Sequence, residues 1–333
     1  MHYVKPTRVL FFGGGQDSTA LLYLFWYDQL FRQQYAGDCH LVVIMSSTGN
    51  EYPATLTHIA EVATWCTTVG IEFYHLTPDM GYHVKTWHSL PQQMERNDNI
   101  MGVAFPKSCT DQLKISPAYR FLADWLRMKY GFTARGHRVY YQYMAMHGKL
   151  QSWIGFAAGE ESRISKVMTS ARNKRKKGLE NTTAPPGPTD VTLTLFSDCQ
   201  IKGPDYIPKW RKLCVMHRYP LIDLGLNRTG CQQLIASYGH TVPHPSNCMM
   251  CPFQAPAEIV YLYRHFPQMW NYWVSREEAK LRKFAYAKVN LGVMGKRTLP
   301  ETLAKALIQY GTWSNERLEA FRFSHGHCVK SKM

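Results

Sequence analysis

No apolar run among the 333 residues reaches the roughly 18 needed to cross a bilayer, so a membrane-spanning helix is not expected. The N-terminus carries Lys5 and Arg8, then only Val9-Leu10-Phe11-Phe12. That stretch is too short for the apolar core of a signal peptide, so the expectation is a cytoplasmic protein without a membrane partner. Acidic residues are few: 24 Asp and Glu stand against 39 Lys and Arg, a formal charge of +15. The excess suits a polyanionic partner, nucleic acid or a phosphate-rich ligand, and equally a basic surface that only aids solubility. No internal repeat is visible. The nine cysteines are odd in number and belong to a reducing compartment, which argues against a disulfide framework and leaves metal ligation or thiol chemistry.

What is present is an ordinary globular composition, 45% hydrophobic and 19% charged, which excludes collagen-like, coiled-coil and wholly disordered chains. A chain of this length reads as about two domains, or one with large additions. It can bury roughly 75% of its unfolded surface without disulfides. Residues 7–12 read as a buried strand, broken by Gly13-Gly14-Gly15. A helical stretch runs from Thr19 to Phe31 behind Asp17-Ser18, both good N-terminal helix residues. Residues 40–45 form a second apolar run, as parallel strands do. Residues 54–68 read as a helix and 71–76 as a third strand. This alternation predicts an α/β, Rossmann-like doubly wound parallel sheet.

A helix is predicted over 117–130 and a strand over 152–156. The clearest linker is 172–190, where Arg172, Lys174, Arg175, Lys176 and Lys177 precede Ala184-Pro185-Pro186-Gly187-Pro188. It reads as a mobile loop. From about 206 the chain turns aromatic and helical, ending in an amphipathic region near 300–323. The predicted organisation is therefore an α/β nucleotide-binding core over 1–170, a basic proline-rich insertion over 171–200, and a helical, cysteine-containing part over 201–333.

Gly13-Gly14-Gly15-Gln16-Asp17-Ser18 lies between a strand and a helix. Glycines let backbone amides approach an anion, a helix N-terminus favours it, and Ser18 adds a hydroxyl. The same glycines would also make a tight strand-to-helix turn. No Gly-Lys-Ser/Thr follows at Walker spacing, and G-x-G-x-x-G is absent.

The whole string resembles the PP-loop, Ser-Gly-Gly-x-Asp-Ser, of ATP pyrophosphatases. Gly14, Gly15, Asp17 and Ser18 match, and Gly13 stands at the motif's first serine. Further matches follow in order. Thr48-Gly49-Asn50-Glu51-Tyr52-Pro53-Ala54-Thr55 is similar to the Asp-Thr-Gly-x-Glu-Phe-Pro-x-Thr segment of the phosphoadenosine phosphosulfate (PAPS) reductase family, with Ser47 at the Asp. Cys109-Thr110-Asp111-Gln112-Leu113-Lys114-Ile115-Ser116-Pro117 resembles its Cys-Thr-x-x-Leu-Lys-x-x-Pro stretch. Residues 155–163 resemble Gly-Ile-Arg-Ala-x-Glu-Ser-x-Arg, with Ala157 at the first Arg. Tyr219-Pro220-Leu221 resembles another recurrent stretch.

The resemblance, to PAPS-reductase-like members of the PP-loop, adenine nucleotide α-hydrolase group, spans residues 11–252. It implies an enzyme that binds ATP or a related adenine nucleotide, with Mg²⁺ bridging phosphate oxygens. Asp17, Ser18, Lys114 and Arg163 would carry the catalysis. Gly13, Gly14, Gly15, Gln16, Thr19, Thr48, Gly49 and Glu51 would hold the nucleotide. One branch activates an acceptor by ATP-dependent adenylation or sulfur transfer, on nucleic acid or a small molecule, with a sulfur-donor protein as partner. Another reduces a sulfonucleotide with a thiol. A nucleotide-gated nucleic-acid-binding module without turnover is the third alternative.

Cys248-Met249-Met250-Cys251-Pro252 is a C-x-x-C pair, suited to one metal or one edge of an iron–sulfur cluster. Ser246 to Phe253 resembles the cysteine-rich C-terminal segment of the family. The candidate ligands are then Cys109, Cys231, Cys248 and Cys251, for a [4Fe-4S] cluster or alternatively zinc; unligated thiols are the other reading. Three ligands with an open fourth position would suit sulfur transfer. Cys328, beside His325 and His327, reads as a tail thiol. Arg264, Arg276, Lys280, Arg282, Lys283 and Lys288 interleave with Tyr261, Tyr263, Trp270, Tyr272 and Trp273. With the 172–177 cluster they suit DNA or RNA, by neutralising phosphates and stacking on bases; the other reading is a helical core with a solvated face.

Overall fold

The structure, a computed structural model, describes residues 4–105, 108–161, 163, 164 and 207–325. The basic run 172–177, the prolines of 184–188 and Cys328 lie outside the described residues.

Five strands form one parallel sheet: β1 (Thr7–Phe11), β2 (His40–Ser46), β3 (Glu72–Leu76), β4 (Leu150–Ile154) and β5 (Val215–Arg218). Their order is β3-β2-β1-β4-β5. The chain winds outward from β1 to β3, then returns to the other side of β1, so the sheet is doubly wound as expected. Register is fixed by pairs such as Val9↔Val42, Leu10↔Val43 and Leu10↔Trp153.

Side chains alternate between the faces of a strand, so neighbouring residues enter different layers. Leu10, Val43, Met45 and Trp153 face one layer with Leu21, Leu22, Ile59 and Val62. That layer is built by α1 (Gln16–Tyr27), α2 (Pro53–Thr68) and, further along, α8 (Arg228–Ser237). Val9, Val42 and Ile44 face the other layer with Phe121, Leu122, Trp125 and Tyr140. Its helices are α4 (Ser116–Tyr130) and α5 (Val139–His147). Both faces are covered, which is why β1 and β2 read as continuous apolar runs. Each fully buried aliphatic side chain contributes about 1.5–3 kcal/mol.

A third cluster lies beyond the sheet. It joins Tyr52, Leu90, Met94 and Leu113, from α3 (Leu90–Asn97) and nearby loops, to Ile259, Leu262, Trp270, Trp273 and Leu303. The latter come from α9 (Pro256–His265), α10 (Pro267–Lys283) and α11 (Leu299–Tyr310); α12 (Asn315–His325) packs on α9. The fold differs from the expected elements in several places. The helix after the glycines ends at Tyr27, where Asp28 turns the chain and caps a short turn by accepting from Phe31 N. The fourth strand starts at Leu150, two residues before its expected start. The short helix α6 (Lys209–Cys214) leads into β5, which pairs with β4 and so extends the core sheet beyond residue 170, and the one-turn helix α7 (Pro220–Asp223) follows. The amphipathic tail is two helices, α11 and α12.

Candidate functional site

Phe12 leaves β1 still bonded to Ile44 O, and the next three residues are glycine. Gly14 has φ +70°, a left-handed conformation that glycine adopts without strain. Gly15 precedes α1 with no side-chain cap, so the first-turn amides of Gln16, Asp17 and Ser18 lack intrahelical partners. Amides so placed, at the positive end of a 12-residue helix, suit an anion. Ser18 Oγ donates to Gly15 O (3.1 Å) and accepts from Gly13 N (3.2 Å), pinning the loop. The loop sits at the carboxyl ends of β1 and β4, where the winding reverses, the usual ligand crevice of such sheets. Gly155, just after β4, closes the crevice: a Cβ there would lie 2.8 Å from Ser18 N.

Other residues expected to hold the nucleotide point inward. Gln16 is buried; its Nε2 donates to Pro243 O (2.9 Å) and Phe323 O (3.3 Å), tying the C-terminal part to the glycine loop. Thr19 Oγ1 donates to Gly15 O (2.9 Å) and lies 2.9 Å from His58 Nε2. Burial holds the His58 ring down at about 4, so it is neutral at pH 7. With the Thr19 proton committed, His58 donates through Nε2. Glu51 also turns in: it accepts from Thr48 N (2.7 Å), Thr48 Oγ1 (2.6 Å), Ser47 Oγ (3.2 Å) and Asn50 N (3.2 Å). These side chains shape the loops, while Gly49, at φ +69°, forms the turn between them.

Beside the glycine loop lies a charged cluster. Arg228 Nη2 is 3.3 Å from Asp17 Oδ2 and 3.4 Å from Glu160 Oε1, and Arg163 pairs with Glu160 at 2.5 Å. Arg163 also lies over the Phe156 ring at 3.8 Å, and Phe156 stacks on Tyr219. Burial pushes the Asp17 carboxyl up to about 6, with Arg228 opposing it. Asp17 Oδ1 has no hydrogen-bond partner among the described residues. Sequence reading missed Arg228, whose pairing depends on α8 packing against α1.

Cys109, Cys248 and Cys251 line one pocket of about 80 Å³, together with Thr48, Thr110 and Lys114. Lys114 reaches it from a π-helical turn, Thr110–Ile115. The C-x-x-C segment is clipped to the loop after β2. Glu51 and Cys248 form an antiparallel bridge, Met249 N donates to Asn50 O (2.9 Å), and Met250 N donates to Asn50 Oδ1 (2.7 Å). Thr48 Oγ1 lies 3.3 Å from Cys248 Sγ. Burial pushes the Cys248 thiol up to about 12, with Lys114 opposing, so the free thiol is protonated at neutral pH.

The expected fourth ligand, Cys231, does not join them. It is fully buried in the sheet-side core on α8, behind Asp17 rather than at the pocket. Among the described residues, no three or more His, Cys, Asp or Glu side chains are placed to hold one metal ion. The three thiols on one largely apolar wall have the donor chemistry of an iron–sulfur cluster, which bonds each thiolate to a different iron.

The basic, aromatic C-terminal third is mostly structural, as a correction to its reading as a base-stacking surface. Trp270 and Trp273 are in the core and Tyr261 is buried. Lys280 is buried and donates to Asn290 Oδ1 and Leu291 O, both at 2.7 Å. Arg264 donates to Trp313 O (2.7 Å) and Gly311 O (2.6 Å), while Arg276 and Lys283 face Asp98. Tyr263, Arg282 and Lys288 remain exposed. No described helix is long and apolar enough to cross a membrane.

The fold and site together describe a doubly wound α/β protein with a glycine loop at the N-terminus of α1 and an adjoining pocket lined by three cysteines. No protein-family model matches the chain. No curated protein matches it either. Among solved structures, it is distantly similar to the U34-tRNA thiolase NcsA from Methanococcus maripaludis with its [4Fe-4S] cluster. The two are 14% identical, the match covers 93% of this chain and 83% of that one, and the TM-score is 0.34.

Proposed function

We propose that this chain is a PP-loop enzyme that binds ATP by its phosphates at residues 13–18 and activates an acceptor for sulfur transfer. The observation that carries this reading is the strap of residues 246–251: Ser246 lies against Gly15, and Cys248 and Cys251 line the neighbouring pocket. One segment therefore runs from the glycine loop to the pocket and carries two of its three thiols.

An acceptor oxygen attacks the α-phosphorus, and pyrophosphate leaves to the glycine loop. The first-turn amides of α1 receive the developing negative charge, and Arg163 and Lys114 add positive charge nearby. Sulfide then attacks the activated carbon; the C–S bond forms, the C–O bond breaks and AMP leaves. Mg²⁺, when bound, would offset charge on the phosphates. Cys109, Cys248 and Cys251 would hold a [4Fe-4S] cluster, which would supply Lewis-acid chemistry toward the sulfur donor. Arg282 and Lys288, with the charge of +15, favour a nucleic-acid acceptor.

The test uses anaerobically purified full-length protein with α-labelled ATP, Mg²⁺, sulfide and total cellular RNA. AMP and pyrophosphate are expected, with product lost in Cys248→Ser although ATP still binds. ADP and phosphate as products, or unimpaired turnover in Cys248→Ser, would overturn the proposal.

A further inference from the structure

Side-chain donors around the glycine loop are almost all spent. Ser18 Oγ is shared between Gly13 N and Gly15 O, Thr19 Oγ1 is held by Gly15 O and His58, and the Gln16 amide is used by Pro243, Phe323 and Gln232. Gly13 brings no side chain. One hydroxyl at the mouth differs. Ser246 Oγ lies 3.7 Å from the point a Cβ on Gly13 would occupy and 2.7 Å from that on Gly15. Ser18 Oγ lies 3.8 Å from the same Gly13 point, so the two hydroxyls flank the space in front of the loop. Ser246 is half-buried and its hydroxyl bonds to nothing among the described residues.

The strap that carries Ser246 is well fixed. Pro243 O accepts from Gln16, Pro245 O accepts from the buried Arg322 (3.4 Å), and Cys248 is bridged to Glu51. A rigid strap with one uncommitted donor over an amide cradle has the form of a clamp. We propose that Ser246 donates a hydrogen bond to the bound phosphate and so completes the cradle from the distant strap. This rests on the nucleotide site described above.

The substitution Gly13→Ser provides a rescue. Gly13 does not have a positive φ, and its Cβ would make only ordinary contacts, so a serine there fits and puts a hydroxyl into the same space. The experiment is calorimetric titration of the full chain with ATP and, separately, inorganic pyrophosphate in Mg²⁺. Ser246→Ala is expected to weaken both about 10- to 100-fold, the worth of one hydrogen bond to a charged group, at an unchanged melting temperature. Adding Gly13→Ser to Ser246→Ala is expected to restore most of the affinity. A wild type that binds neither ligand would overturn the nucleotide site and this role with it. A wild type that binds, with Ser246→Ala equal to it, would overturn the role of Ser246 alone. A loss that Gly13→Ser fails to repair would make Ser246 structural and also overturn it.

Discussion

Gly155→Ala is the sharpest test of how β4 and α1 meet. The added Cβ would stand 2.8 Å from Ser18 N, 3.0 Å from Ser18 Cα and 3.1 Å from Asp17 C, where ordinary contact begins near 3.4 Å. All three atoms are backbone, so no rotamer change relieves the overlap. Either β4 or the first turn of α1 must retreat by about half an ångström. Overpacking of this kind costs about 1–3 kcal/mol. With an unfolding entropy of about 2.1 cal/mol/K per residue, that lowers the melting temperature of a 333-residue chain by about 1–4 °C. The same movement displaces the amides that would face phosphate, so ATP affinity is expected to fall at least about tenfold. Thermal denaturation and ATP titration read the two effects separately. A variant that melts and binds as wild type does would refute the close approach and, with it, the placing of the cradle in the β1–β4 crevice.

Burial pushes the Glu72 carboxyl up, but hydrogen bonds from Tyr74, Trp125 and Lys129 outweigh it and hold it at about 2, against an ordinary 4.5. Its stabilisation is full above pH 4.5 and fades as pH falls toward about 2, so the gap in denaturant midpoint between wild type and Glu72→Gln should close over that window; a constant gap counts against it. Asp17 has the opposite sign. Raised from 3.8 to about 6, it binds a proton more tightly when folded, so its contribution is present below pH 3.8 and is lost as pH rises through about 6. Asp17→Asn should remove that slope, and overlaid stability curves would contradict it. Trp273, with no exposed surface, is a core residue. Trp273→Leu should lower the denaturant midpoint yet leave affinity for poly(U) unchanged; lost RNA affinity in a folded variant would restore a stacking role.

Much of the sheet was legible because its inner strands are buried on both faces and so appear as unbroken apolar runs. Residues 40–45 carry that signal plainly, and Gly13 to Ser18 mark the turn from strand to helix. Val215–Arg218 was not legible: Val-Met-His-Arg is short, polar at its end, and recruited only by pairing with β4. The fourth strand stops at Ile154 because Gly155 must leave the ladder to meet Ser18. In the candidate site, the C-x-x-C pair and Cys109 were visible as types and spacing. Spacing cannot say which way a helix faces, and that decided Cys231, which α8 turns into the core. The same limit hid Arg228, and it made Trp270 and Trp273 resemble a binding surface when their three-residue separation instead puts both on the buried face of α10; Ser246 was hidden because only the fold brings its strap against the glycine loop.

Whether residues 13–18 hold phosphate is tested most directly by titrating the full chain with ATP and Mg²⁺, with pyrophosphate as competitor, alongside Gly14→Val. Gly14 holds φ +70°, and its Cβ would meet Ile59 at 3.1 Å, so valine should wreck the loop. The expected result is ATP binding that pyrophosphate displaces and Gly14→Val abolishes. ATP binding that resists pyrophosphate and survives Gly14→Val would contradict a phosphate cradle at residues 13–18.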